Sequence, residues 1–441
     1  MINDVSYKVL GGYPIKGKIR CNGAKNLVTK VIIASLLSEN KTILYNIPSI
    51  GDIEITKFFI ESLGAIINWD QKSKQIEINP RSITNHEIFA LNNSTNRLSI
   101  LLVVIILQKL KKVSINAVGG DFIGERNINF HTNLIKSFGG RFIATKNRYI
   151  GNIKNKFMGS KIKLPYPSVG ATESSIFLSV LAKGKSIIDN VAMEPEIIEL
   201  IDILGFMGAK IKNINDRRLI INGVDKLYGV NFFIIGDRVE VMSWGCIACI
   251  SNGKIHISGI KVNLLNNFLP YFLNIGGGFK LLSDKEIIFY KRRSLTYSNV
   301  EISYFPGFST DYQQIFSILL IQSNGISSIH ETVYDRRLNY LSVINKVGAM
   351  NKTSLECLGN KKCRFSKLYY HSAIIYGPKK LQFDYLSTLA PDIRAAFAYL
   401  IVTTLFDGIS TLNSLDQIER GYGDLTKKVI NTNFIIKRLS N

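Results

Sequence analysis

Cysteine is scarce in this chain, with five residues in 441. An odd, scattered set argues against a disulfide framework. Cys246 and Cys249, three apart in an apolar stretch, read as core filler, since no second pair or histidine cluster accompanies them. Five histidines (His86, His131, His256, His330, His371) show no metal-ligand spacing, so neither a metal nor a cofactor is expected. Long apolar runs are missing as well. The longest, Leu98 to Leu107, falls short of the roughly 20 residues that a helix needs to span a bilayer. Met1 to Leu10 carries no apolar leader core. No membrane association and a cytoplasmic location are therefore expected. There is no GxxxxGK(S/T) loop, no GxGxxG opening a βαβ unit and no Ser-His-Asp set. Acid is short too: 33 Asp and Glu face 55 Lys and Arg, a formal net charge of +22.

What is present is repetition. Six copies of one module follow each other, each with an apolar helix, a β-branched strand, a polar connector, a second helix and a stop near glycine. The stops are Leu63-Gly64-Ala65, Phe138-Gly139-Gly140, Met207-Gly208-Ala209, Ile275-Gly276-Gly277 and Val347-Gly348-Ala349. Their glycines lie 75, 69, 68 and 72 residues apart, and a sixth position near Asn433 has lost its glycine. Glycine there suits the left-handed end of a helix. The first helix and strand of each copy are predicted at 25–37 and 41–47, 97–110 and 113–117, 172–182 and 186–191, 239–250 and 254–260, 311–321 and 326–333, and 393–406 and 408–415. Helices this apolar on every side should be buried. Strands outside and helices inside give a layered α/β architecture. Six copies in 441 residues suggest two domains of three, since a single core rarely grows so large. The segment 353–376, with Cys357 and Cys363, reads as a hairpin insertion without chemistry.

Charged residues keep the phase of the repeat. Lys25-Asn26, Arg97, Thr172-Glu173, Arg238 with Glu240, Asp311 with Gln313, and Arg394 all stand at the openings of the apolar helices. Helix starts carry free N–H groups and bind anions. Two such edges, one per domain, would line a positively charged cleft. The connectors add Gly119-Gly120-Asp121-Phe122-Ile123-Gly124-Glu125-Arg126, Arg336-Arg337 and Glu419-Arg420-Gly421-Tyr422. Pro306 to Asp311 and Pro165 to Thr172 are constrained loops that end in a carboxylate or in hydroxyls. Part of the positive charge is solvated lysine in a chain rich in Lys, Ile and Asn. The arginines in repeat phase point instead to a phosphorylated substrate. Dispersed charge speaks against nucleic acid. Two separated acids suit proton transfer.

These motifs, in this order and from end to end, resemble the UDP-N-acetylglucosamine 1-carboxyvinyltransferases, the enolpyruvyl transferases that begin bacterial peptidoglycan precursor synthesis. The resemblance runs through Gly23-Ala24-Lys25-Asn26, Asn96-Arg97, Gly119 to Arg126, Pro167 to Glu173, Gly236-Asp237-Arg238, Pro306-Gly307-Phe308 with Thr310-Asp311, Glu331-Thr332, Arg337, Asp392-Ile393-Arg394 and Arg420-Gly421-Tyr422. It implies an inside-out α/β barrel of two domains, each with three inverted βαβαββ units. Residues 21–236 would form one domain, and 1–20 with 237–441 the other. It implies transfer of the enolpyruvyl group of phosphoenolpyruvate to the 3-hydroxyl of UDP-N-acetylglucosamine by addition and elimination, in a monomer that needs no metal. Asp121 matches the general acid and Asp311 the base. Lys25, Asn26, Arg126, Arg337, Arg394 and Arg420 match the phosphoenolpyruvate contacts, with Lys25 and Arg420 also catalytic. Arg97, Arg126, Asn127, Ile128, Asn129, Phe130, His131, Ser168, Val169, Gly170, Asp311 and Val333 match the nucleotide-sugar contacts. Other openings remain: a different acceptor such as shikimate-3-phosphate, or an inactive nucleotide-sugar-binding paralogue. Most members carry cysteine where this chain has Asp121, so resistance to the epoxide antibiotic fosfomycin, which alkylates a thiolate, is expected. Asn127 replaces the usual proline, Asn129 the usual aspartate, Tyr166 a lysine of some members, and Gly423 the usual acid.

Overall fold

A computed structural model describes residues 5–88, 97–117, 128–145, 147–214, 217–365, 368–381, 390–413 and 416–440. The chain opens with two strands, β1 (Val5–Gly11) and β2 (Lys16–Arg20). A first run of repeats follows: α1 (Lys25–Ser35), β3 (Thr42–Tyr45), α2 (Gly51–Ser62), β4 (Ile66–Asp70), β5 (Gln75–Asn79); then β6 (Glu87–Ile88), α3 (Leu98–Leu110), β7 (Lys112–Asn116), α4 (Asn129–Ser137), β8 (Arg141–Ala144), β9 (Arg148–Asn152). The third copy is β10 (Lys161–Lys163), α5 (Val169–Ser179), β11 (Lys185–Asp189), α6 (Pro195–Phe206), β12 (Lys210–Ile214) and β13 (Arg218–Asn222), followed by β14 (Asn231–Phe233).

The second run is α7 (Arg238–Ile250), β15 (Lys254–Ser258), α8 (Leu269–Ile275), β16 (Gly277–Ser283), β17 (Glu286–Lys291); then β18 (Asn299–Ile302), α9 (Gln313–Ile321), β19 (Gly325–Glu331), α10 (Tyr340–Lys346), β20 (Met350–Ser354), β21 (Ser372–Gly377). The last copy holds α11 (Ile393–Thr403), β22 (Gly408–Leu412), α12 (Asp416–Tyr422), α13 (Leu425–Lys428) and β23 (Ile436–Ser440).

Each copy makes one sheet. Five are four-stranded, and all five share a plan: an edge strand runs parallel to the second strand, and the two final strands pair antiparallel, as in β6-β7-β9-β8 and β18-β19-β21-β20. The strand orders are open, and no sheet closes on itself among the described residues. The first helix of each copy is almost wholly buried. Every residue of α7, α9 and α11 is buried, and these three pack on one another. The six-fold helix–strand pattern read from the sequence is therefore present, with boundaries shifted by a few residues. One shift matters: α5 starts at Val169, so Thr172 and Glu173 lie within its first turns rather than at its opening.

The chain divides into two compact units. One holds the residues up to Asn22 together with those from Gly236 onward, and the other lies between Gly23 and Ile235. The edge strands account for the crossing. In the unit without the termini, β14 supplies the parallel edge strand for β3, ahead of the first copy. In the other, β2 does this for β15. The sixth copy lacks its last strand, and β1 fills the gap between β22 and β23. The five glycine stops all have positive φ, from 92 to 117°. At Gly139 an added Cβ would meet nothing within 4 Å, so the backbone conformation alone demands glycine there. Asn433 does not adopt it. Its side chain instead accepts from Lys16 N (2.6 Å) and donates to the Pro14 carbonyl (3.0 Å), fastening the returning amino terminus.

The 353–376 reading needs correction. Thr353 and Ser354 belong to β20, and 372–376 to β21, so both are regular strands of the fifth sheet, β20 at its edge. Strand alternation is weak there because β20 is largely exposed.

Candidate functional site

In the unit that contains the termini, the loop before α9 delivers Asp311 and the N-terminus of α11 delivers Arg394. Asp392 caps α11, with Oδ1 accepting from Arg394 N (2.8 Å) and Ala395 N (3.1 Å). Arg394 is thereby set on the first turn, and its Nη2 donates to Asp311 Oδ2 at 3.3 Å. Arg337 Nη2 donates to Asp311 Oδ1 at 3.0 Å, and its Nη1 lies 3.7 Å from Asp392. One carboxylate thus bridges two guanidinium groups whose side chains are 3% and 5% exposed, while Asp311 itself keeps 25% exposure. With its amide nitrogen turned toward the Thr310 carbonyl (3.2 Å), Gln314 accepts from Arg337 Nε at 2.6 Å. Burial lowers the affinity of Arg337 for its proton, but Asp392 and Asp311 outweigh it and the pKa is raised. Arg394 is raised likewise, with Tyr422, Asp311 and Asp237 opposing burial. Its guanidinium stands 5.3 Å over the Tyr422 ring, and burial lifts the Tyr422 hydroxyl to about 12. Both arginines are fixed cations here.

Glu331, at the end of β19, organises the same region. It is wholly buried, and its carboxylate accepts from Thr310 Oγ1 (2.7 Å), Gln313 Nε2 (3.3 Å), Val333 N (2.6 Å) and Tyr334 N (3.2 Å). Burial pushes its pKa up to about 7 despite these donors. Thr310 and the Glu331–Val333 turn are in this way tied together around Asp311. Arg238, the first residue of α7, donates to the Tyr312 hydroxyl at 2.7 Å. Arg420 stands on α12, which packs against α11.

The unit between Gly23 and Ile235 carries the other group. Lys25 opens α1, and its Nζ lies 2.6 Å from Asp52, a buried acid in the first turn of α2. Asn26 follows it on α1. Arg97 caps α3. His131 on α4 is buried, with Nδ1 2.8 Å from Ser174 Oγ. Burial first, and the Arg97 charge second, push its pKa down to about 3, so the ring is neutral. Ser168 caps α5 by accepting from Ala171 N at 3.4 Å. A Cβ at Gly170 would stand 3.7 Å from His131 Nε2, so the α5 start and His131 are neighbours. Phe130 meets Tyr166 edge to face, 5.3 Å between ring centres. Glu173, buried with Lys30, Glu194 and Glu196 nearby, is pushed up to about 7 mainly by burial.

The structure therefore gathers Asp311, Arg337, Arg394 and Val333 in one unit, and Arg97, Phe130, His131, Ser168 and Gly170 in the other. Ile128 and Asn129 open α4 in the latter, and Val169 is an exposed residue of the α5 start. Asp121, Arg126 and Asn127 lie outside the described residues. Asp52, Glu331 and Asp392 were absent from the sequence-based site. Glu331 had a signal, an acid inside a β-branched strand, and Asp392 another, an acid just before an apolar helix.

The family model described as EPSP synthase (3-phosphoshikimate 1-carboxyvinyltransferase) matches residues 9–429. A UDP-N-acetylglucosamine 1-carboxyvinyltransferase of Chlamydia abortus is 38% identical over 425 residues, covering 96% of this chain and 95% of that protein. The chain belongs to the carboxyvinyltransferase family. Proteins of the same name from Chlamydia muridarum (39% identical, 95% of both chains) and Protochlamydia amoebophila (37%, covering 96% of this chain and 92% of that one) are further relatives in this family. Its fold is shared by the enolpyruvyl transferase NikO from Streptomyces tendae, with a TM-score of 0.86 at 16% identity over the full length of both chains. EPSP synthase from Acinetobacter baumannii matches with a TM-score of 0.73 at 13% identity, covering 99% of this chain and 100% of that one. No helix among the described residues is long and apolar enough to cross a membrane.

Proposed function

We propose that this carboxyvinyltransferase moves the enolpyruvyl group of phosphoenolpyruvate to the 3-hydroxyl of UDP-N-acetylglucosamine and releases phosphate. The observation that carries the reading is the Asp311 carboxylate held between two buried arginines, in a family whose close relatives bear that activity in their name. In the addition step, the sugar hydroxyl loses a proton to Asp311 while its oxygen bonds to C2 of phosphoenolpyruvate, and C3 gains a proton from Asp121. In the elimination step, C3 returns a proton to the Asp121 carboxylate, the C2–C3 double bond re-forms and the C2–O bond to phosphate breaks. Each step balances without a redox partner. The arginine pair also has a physical rationale. Fixed cations cost no reorganisation when phosphate and carboxylate charge develops between them, and a partly exposed carboxylate can exchange a proton with a bound hydroxyl. Lys25, Asn26, Arg126, Arg337, Arg394 and Arg420 are the phosphoenolpyruvate contacts of this reading. Arg97, the 126–131 segment, Ser168, Val169, Gly170 and Val333 are its nucleotide-sugar contacts. We read the enzyme as a cytoplasmic monomer.

The test is phosphate release from phosphoenolpyruvate, with and without UDP-N-acetylglucosamine. Parent and Asp121→Cys should both release phosphate only with the sugar nucleotide. Asp121→Asn and Asp311→Asn should lose about 100-fold or more in rate, the usual scale of a removed acid or base. Parent protein should also survive fosfomycin with Asp121 unlabelled by mass spectrometry, and Asp121→Cys should be alkylated and lost. Phosphate release supported by shikimate-3-phosphate instead, or by neither acceptor, refutes the reading.

A further inference from the structure

The turn between the last two strands of a sheet is short in most copies: residues 71–74 join β4 to β5, and 284–285 join β16 to β17. In the fifth copy it runs from 355 to 371. That longer connection brings Cys357, Cys363 and His371 together with His330 of β19. One ligand atom from each of the four lies within 4.8 Å of all the others. The sequence spacing hides this group, because His330 joins it only through the antiparallel register that sets it opposite Ser372.

Two of the ligand-to-ligand distances are close to those of a tetrahedral site. Cys357 Sγ lies 3.6 Å from Cys363 Sγ and 3.4 Å from His371 Nε2. Zinc bonds of about 2.3 Å to sulfur and about 2.0 Å to nitrogen, at tetrahedral angles, put two sulfurs about 3.8 Å apart and sulfur and nitrogen about 3.5 Å apart. The sulfurs are too far apart for a disulfide, which needs about 2.05 Å, and both thiols are free. His371 Nδ1 is 2.8 Å from the Tyr369 carbonyl. Donation there leaves the Nε2 lone pair facing Cys357, the arrangement that orients a metal-bound histidine. His330 is a second, independent sign. It is 1% exposed, and its Nε2 has no hydrogen-bond partner among the described residues. A buried nitrogen left without a partner needs an explanation, and metal ligation after loss of its proton supplies one. Its Nδ1 accepts from Gly359 N at 2.7 Å. Ligation through either nitrogen breaks that bond, since an Nε2-bound imidazole carries its proton on Nδ1.

We infer that Cys357, Cys363, His371 and His330 form a structural Zn²⁺ site that clasps the long connection to β19. Two thiolates and two imidazoles suit zinc and not a hard cation, and four protein ligands leave no open position for catalysis. The clasp sits beside the candidate site. His330 is followed directly by Glu331, and Arg364, next to Cys363, donates to the Val333 carbonyl at 2.8 Å. Lys361 N donates to Glu301 at 2.8 Å, closing the connection back on β18. The inference stands apart from the transferase reading, because its readout is metal and not turnover.

The full chain, purified in reductant without chelator, is assayed for metal by mass spectrometry and then loaded with Co²⁺. The expected result is about one equivalent of Zn²⁺ per chain and a tetrahedral cobalt spectrum with thiolate charge-transfer bands. Cys357→Ser with Cys363→Ser should abolish both, His371→Asn should weaken both, and Cys246→Ala should change neither. Chelation should lower the thermal midpoint of the parent but not of the double variant. A parent that takes up no Zn²⁺ on titration, a cobalt spectrum without thiolate bands, or a Cys357–Cys363 disulfide in freshly isolated protein overturns the inference. The cobalt spectrum needs no variant, so misfolding of a substituted chain cannot mask the answer.

Discussion

Asp311→Ala removes the one carboxylate that accepts from both Arg337 and Arg394. Two buried guanidinium groups then face each other across the gap. Removing one partner of a buried ion pair costs about 3–5 kcal/mol. Two facts reduce that figure here. Arg337 keeps Asp392 at 3.7 Å, and Arg394 keeps the Tyr422 ring face. Asp311 is also a quarter exposed, so water enters the gap. A loss of about 2–3 kcal/mol is the balance, between one charge-assisted hydrogen bond and a full buried pair. For a unit of this size, about 2–4 °C is lost per kcal/mol, so the midpoint should fall by about 4–12 °C. Asn at this position keeps one acceptor but turns its NH₂ toward the other guanidinium, so it should recover little. Millimolar phosphate should raise the midpoint of Asp311→Ala more than that of the parent, because an anion can refill the gap and binds only the folded state. Calorimetry at neutral pH, with and without phosphate, reads all of this. An unchanged or higher midpoint for Asp311→Ala without phosphate would refute the reasoning, since it would mean that desolvating Asp311 costs more than its two bonds return.

Lys25→Met leaves Asp52 buried without its cation and should cost about 3 kcal/mol; adding Asp52→Asn should restore at least half of the denaturant midpoint but none of the turnover. Glu173, lifted by burial to about 7, stays protonated in the folded chain above the unfolded value of about 4.3. The folded state then binds more protons in that window, so stability falls as pH rises from about 4.3 to 7 and levels above it. Glu173→Gln should flatten its share of the slope, and parallel urea midpoints for parent and variant between pH 5 and 8 would count against this. Asn433→Ala should cost about 1 kcal/mol, since its bonds are partly exposed, and should speed hydrogen exchange at the Lys16 amide; unaltered exchange would mean that β1 and β2 hold themselves.

Residue by residue, legibility followed sequence distance. The openings of α1, α7 and α11 were readable because a cap or a charge stands directly before an apolar run, as with Asp392 before Ile393. Lys25 and Arg394 were found for that reason. Asp52 was not, because a first-turn acid on an amphipathic helix reads as ordinary surface. Glu331 was quoted within a motif but given no role, since only the fold shows four donors converging on it.

By itself the sequence determined the module and its count. Burial of one helix face and alternation along a strand have short periods, 3.6 and 2 residues, and they print directly on neighbouring positions. Glycine at the five helix stops is equally local, because φ is set by the residue that must adopt it. Tertiary structure alone decided what meets across long separations. Register placed His330 beside His371, the sixth sheet took β1 between β22 and β23, and the packing of α9 and α11 put Asp311 between Arg337 and Arg394. No short-range period encodes those meetings. They arise from the strand pairings and helix packings that bury the core, and each depends on partners far along the chain.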